Sequence, residues 1–99
     1  MKIRWSPLAI SRITEIGDFI AIDHPKTALR IVKEIIGSVA RLKQFPKSGR
    51  VVPEFENPDI REVIRPPYRI LYQEYDKAIE ILTVIHSRQL LTPEKLVQT

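Results

Sequence analysis

The chain of 99 residues has no cysteine. That excludes disulfide stapling, thiolate catalysis and any zinc site built on cysteine, and it fits a reducing compartment. Glycine is scarce, with only Gly17, Gly37 and Gly49, scattered so that no glycine-rich phosphate loop can be assembled. Histidine is limited to His24 and His86, neither with a partner at ligand spacing, so no metal site or other cofactor is expected. No serine sits in a nucleophile-elbow context. Apolar runs fall well short of the roughly 20 residues that cross a bilayer, and no apolar segment follows the basic N-terminus as in a signal peptide. The expectation is a cytoplasmic protein with no membrane association.

What remains is an ordinary globular composition, 43% hydrophobic and 28% charged, enough for one domain spanning residues 1–99. Sixteen Lys and Arg against twelve Asp and Glu give +4. Such a balance draws anions, whether nucleic acid or an acidic protein partner, unless it is only a solvated basic surface.

The order of elements predicts an α+β domain. Residues 2–5 form a short strand. Ser6-Pro7 then reads as an N-cap followed by proline at the first helical position. Ala9, Ile13, Ile16 and Ile20 line one face of that helix, with Arg12, Glu15 and Asp18 solvated. Pro25 restarts the chain as a second helix, expected to run to about Gln44, with Ala28, Ile31, Ile35, Val39 and Leu42 inward and Gly37 available for close approach to the first helix. The two make an antiparallel helical hairpin. After the turn at Phe45–Arg50 the pattern changes to strands: Val51-Val52, Ile60–Arg65, Tyr68–Tyr75 and Ala78–His86, with Pro66-Pro67 between strands and Asp76-Lys77 at a hairpin tip. Thr92-Pro93 predicts a short C-terminal helix. The helical hairpin is expected on one face of a small antiparallel sheet, leaving the other face free for function.

Chemistry concentrates on the last two strands. Strict alternation puts Glu80, Leu82, Val84 and His86 on one face of the last strand, and Arg69 with Leu71 and Gln73 on one face of its neighbour. Were Arg69 to lie beside His86, with Arg88 close by, arginine would stabilise a five-coordinate phosphate and His86 would protonate the leaving oxygen. A base for a 2′-hydroxyl would come from Lys47, Glu54 or Glu62. The structural alternative has Arg69 paired with Glu62 or Glu80 across strands, an interaction contributing under about 1 kcal/mol when exposed.

The ordered motifs resemble the ParE/RelE superfamily of toxins from type II toxin–antitoxin systems. They run from Trp5-Ser6-Pro7-x-Ala9 through Leu42-x-x-Phe45-Pro46-x-x-Gly49-Arg50, Val52-Pro53-Glu54 and Arg61-Glu62. They continue with Pro67-Tyr68-Arg69-Ile70-x-Tyr72 and close on Ile81-x-x-Val84-x-His86-x-Arg88. The resemblance spans nearly the whole chain. It implies a RelE/ParE-like fold and a toxin neutralised by a cognate antitoxin, whose binding segment is acidic or amphipathic, in a toxin–antitoxin hetero-oligomer. The superfamily divides into gyrase inhibitors of the ParE, plasmid-stabilisation type and RelE-type endoribonucleases that cut mRNA on the ribosome. The pattern here is closer to ParE: the tail from Ser87 to Thr99 lacks the late tyrosine of several nucleases, and the 47–56 loop carries only Lys47 and Arg50 as basic residues. The expectation is therefore a growth-regulating inhibitor of DNA gyrase rather than an enzyme, with Arg50, Arg69, His86 and Arg88 on the target-binding surface. In the alternative, an endoribonuclease, Arg69, His86 and Arg88 are catalytic, with Lys47 or Glu54 as base. A non-toxic interaction module is the third reading.

Overall fold

Ser6 fixes the first strand to the first helix. Its Oγ accepts from the Ala9 N–H at 3.0 Å as an N-cap and donates to the Leu82 carbonyl at 2.9 Å. In the computed structural model, which describes residues 1–89 together with Thr92 and Leu96, strand β1 (Lys2–Trp5) leads into helix α1 (Pro7–Ala21) and then α2 (Pro25–Ser38). The expected C-terminal helix lies outside the described residues.

Helix α2 stops earlier than its apolar period suggests. Ser38 Oγ donates back to the Ile35 carbonyl at 2.7 Å, next to Gly37, and the chain tightens into a 3-10 turn at Ala40–Lys43. The change of helix type keeps Val39 and Leu42 buried, so the inward face continues past the end of the α-helix. Gly37 faces open space; the close approach is at Gly17, where a Cβ would lie 3.1 Å from Val32 Cγ2.

Strands β2 (Arg50–Val51), β3 (Ile60–Arg65), β4 (Tyr68–Tyr75) and β5 (Ala78–His86) complete a five-stranded sheet ordered β1-β5-β4-β3-β2. The strands β2 to β5 are antiparallel to their neighbours, and β1 joins the edge of β5 in parallel. The helical hairpin covers one face, where Ala9, Ile13, Ile31, Ile35, Val39 and Leu42 meet Val63, Ile70, Tyr72, Ile79, Ile81 and Val84.

The opposite face is not free. Val52, Ile60, Leu71 and Ile85 form a second buried cluster there, with Phe55, Leu82 and Leu96 packed against it. Loop residues after β2 therefore act as a partial third layer, since an apolar sheet face must be covered by something.

Strand β5 also departs from strict alternation. Leu71 pairs with Thr83 and Tyr72 with Ile81, leaving Leu82 as the extra residue of a β-bulge. The bulge returns Val84 and His86 to the helical face already occupied by Ile79 and Ile81, and turns Thr83 and Ile85 to the other.

Candidate target-binding site

Strand register decides which of the candidate side chains meet. His86 pairs with Tyr68, and Arg69 pairs with Ile85. Residues paired across a ladder share a face, so His86 lies on the helical face and Arg69 on the opposite one. The expected neighbourhood of Arg69 and His86 is thus not formed, because the two residues belong to alternate rows of the same sheet.

Arg69 sits instead in a buried ion network. Its Nε donates to Glu62 Oε1 at 2.6 Å, and its Nη1 and Nη2 donate to the two oxygens of Glu54 at 2.6 and 2.7 Å. Arg50 donates from Nε to the other Glu62 oxygen at 2.8 Å. The Glu62 side chain is wholly buried and that of Arg69 is 8% exposed, whereas Arg50 keeps 59% of its side chain in solvent. The guanidinium of Arg69 holds the Glu54 carboxyl below its ordinary range, chiefly through these hydrogen bonds. Arg69 is held even more firmly cationic, first by Glu54 and then by Glu62. Two carboxylates on one arginine leave little capacity for a phosphate. The cross-strand alternative of Arg69 with Glu62 is the one realised, and because both side chains are buried, removing either would leave the other's buried charge short of a partner.

His86 stands at the far end of β5. Its Nδ1 accepts from the Arg88 backbone N–H at 3.1 Å, and its own backbone N–H donates to Gln89 Oε1 at 2.8 Å. The ring meets Tyr68 edge-on, with centroids 5.8 Å apart. Helix α1 closes a cleft of about 250 Å³ there, with Arg12, Glu15 and Ile16 facing Tyr68, His86 and Gln89. Arg12 and Glu15 are ion-paired at 3.0 Å, and Arg88 is exposed. The sequence does carry a sign of this: Arg12 precedes the inward-facing Ile16 by one helical turn and shares its flank.

Lys47 belongs to the other end of the sheet. It lines a separate cleft with Arg61, Tyr72, Asp76 and Lys77, near the start of β5. A nine-residue strand separates the two ends by roughly 25 Å. Of the candidates for target contact, then, His86 and Arg88 lie together. Arg50 lies on the second-face network, and Arg69 lies beneath it as a support. No cluster of three or more His, Cys, Asp or Glu suited to a metal ion occurs among the described residues.

The family model described as the ParE toxin of the type II toxin–antitoxin system matches residues 3–91. Y4kP of Sinorhizobium fredii, named as a candidate toxin, is 39% identical over 93 residues, covering 89% of this chain and 90% of that one. Toxin RelE2 of Caulobacter vibrioides is 28% identical over 90 residues, covering 90% and 98%. A chain from the chromosomal ParDE system of Pseudomonas aeruginosa superposes with a TM-score of 0.73 at 27% identity, over 87% of this chain and 95% of that one. A chain of the Mycobacterium tuberculosis RelBE2 complex shares the fold, with a TM-score of 0.57 at 21% identity over 86% and 95%.

Proposed function

This chain belongs to the ParE family of toxins from type II toxin–antitoxin systems, and on that premise we propose that it inhibits DNA gyrase by direct binding. The toxin is the partner of a cognate antitoxin; the inhibition and its surface are our reading. The observation that carries it is the commitment of Arg69. An arginine bound to two carboxylates, with His86 on the opposite face of the sheet, supports a binding surface better than a phosphodiester-cleaving one. Glu54, a candidate base, is held by the same guanidinium. His86 and Arg88 supply an exposed cation and a hydrogen-bonding ring for a protein target, and Arg50 adds a second exposed cation. The antitoxin's segment is acidic or amphipathic in this reading. Net charge favours the first property, and the exposed Phe19, Ile22 and Leu29 on the helices favour the second.

The test combines purified gyrase with induction in cells. The toxin alone should inhibit supercoiling, and Arg88→Ala with His86→Ala should weaken inhibition at least about tenfold, the scale of one lost charged contact. Induction should produce double-strand breaks and filamentation. Rapid translational arrest with cut messages, and supercoiling left intact, would replace this reading with ribosome-dependent mRNA cleavage.

A further inference from the structure

The turn that ends β5 satisfies every backbone donor it has, and one of the acceptors is a ring nitrogen. The His86 N–H donates to Gln89 Oε1 at 2.8 Å, and the Ser87 N–H donates to the Pro67 carbonyl at 2.7 Å. The Arg88 N–H donates to His86 Nδ1 at 3.1 Å, and the Gln89 N–H to the His86 carbonyl at 2.9 Å. A backbone N–H only donates, so the nitrogen that faces it must present a lone pair. The neutral imidazole of His86 therefore keeps its hydrogen on Nε2. Tyr68 meets the ring edge-on, and Nε2 has no hydrogen-bond partner among the described residues. The chain's other histidine lacks this arrangement. His24 is exposed, and its side chain makes no capping hydrogen bond at the start of α2.

We propose that this turn makes His86 a one-way hydrogen-bond donor to the target, with Gln89 as the residue that positions it. Nδ1 is occupied within the turn, so only the Nε2–H is left for the cleft that His86 lines with Arg12, Glu15, Ile16 and Tyr68. A donor selects an acceptor. The target group that His86 reads is therefore an oxygen, and the exposed Arg88 two residues on favours a carboxylate. Gln89 acts through the backbone. Its side-chain carbonyl holds the His86 N–H and its own N–H holds the His86 carbonyl, which closes the turn and sets the Arg88 peptide against the ring. Ser87 ties the same turn to the β3–β4 connection through Pro67. A neutral ring locked in this way turns no lone pair to the cleft, so His86 takes no proton from a substrate hydroxyl.

The target contact rests on the gyrase reading, whereas the fixed ring does not, and the two are measured separately. Long-range proton–nitrogen correlation spectra of the labelled, whole-chain toxin are recorded at about pH 8.5, where histidine is neutral, with His24 as internal reference. His86 should lie at least about fivefold further towards the Nε2–H form than His24, the net effect of one hydrogen bond. Gln89→Ala should move His86 to the His24 ratio. Gln89→Glu, whose carboxylate still accepts from the His86 N–H, should hold it. Supercoiling inhibition then reads the donor. His86→Asn keeps an acceptor where Nδ1 stands but reaches no donor as far as Nε2, so it should lose at least about tenfold in inhibition. His86→Gln brings an amide N–H to the Nε2 position and should lose less, with circular dichroism confirming that each variant folds. Equal ratios at His24 and His86, or a hydrogen on His86 Nδ1, overturn the proposal. So does full inhibition by His86→Asn, or a Gln89→Ala spectrum like that of the wild type. A fixed His86 in a toxin that leaves supercoiling intact would overturn the gyrase reading and keep the one-way donor.

Discussion

At the scale of single residues the central fact is the division of labour among the basic side chains. Arg69 donates three N–H groups to two carboxylates, and planar geometry is what lets one side chain do this; lysine has no equivalent fork. The pairing ties the loop at Glu54 to strands β3 and β4 and so holds the covering of the second face. It also makes stability depend on pH through Glu54. Its carboxyl titrates below the ordinary 4.5 in the folded protein because Arg69 hydrogen-bonds the ionised form. The unfolded chain therefore takes up the proton first on acidification. The stabilisation is complete above pH 4.5 and is lost as pH falls through the lower folded value. Urea unfolding between pH 3 and 7 should show this acid loss in the wild type, and Glu54→Gln should be less stable at pH 7 with a shallower acid limb. Parallel pH profiles for the two proteins would show that Glu54 is not the titrating link.

Among the elements, the turns and helix starts were legible and the strand faces were not. Ser6-Pro7 marks the start of α1 because capping chemistry is local. Pro66-Pro67 separates β3 from β4 because proline cannot donate to a ladder. The end of α2 and the face of His86 depend on something the local pattern does not carry. The apolar spacing through Val39 and Leu42 is the same for an α-helix and for a helix ending in a 3-10 turn. The bulge at Leu82 inserts one residue into a run of aliphatics with no glycine to signal it, and everything after it changes face. Strict alternation allows Arg69 and His86 one face of their adjacent strands, and the bulge is what puts them on opposite faces. The β4–β5 turn offers a direct check on local chemistry. Asp76 and Lys77 have φ of 51° and 60°, positions that suit Asn-Gly far better than an L-residue with a long side chain. Lys77→Gly should raise the urea midpoint by about 0.5–1 kcal/mol equivalent at unchanged m-value. Lys77→Val, β-branched at positive φ, should lower it. If both variants fall equally, the side chain of Lys77 contributes more than the turn geometry.

On the scale of the molecule, one sheet carries two cores, and this leaves function to its ends. Strands β4 and β5 supply Ile70, Tyr72, Ile79, Ile81 and Val84 to the helical side, and Leu71 and Ile85 to the loop-covered side. Neither face is open enough to act as a broad docking platform, so the accessible chemistry is displaced to the His86 end and the Lys47 end. Gly49 closes the arrangement, since a Cβ there would come within 2.7 Å of the Glu62 carbonyl oxygen and 2.5 Å of the Tyr72 hydroxyl. Because the same strands run through both cores, the two layers should unfold as one unit. Leu71→Ala on the loop side and Ile81→Ala on the helical side, both fully buried, should each cost about 2–5 kcal/mol. In each variant, far-ultraviolet circular dichroism and Trp5 fluorescence should report a single coincident transition in urea. Hydrogen exchange of the Val52 amide, which donates to the Ile60 carbonyl at 3.2 Å, should follow the same free energy. Should that amide exchange through a much smaller opening than Trp5 reports, the loop layer is a separate unit. The Arg69–Glu54 tie would then latch a movable cover, and the second face would return as a surface that a partner could uncover.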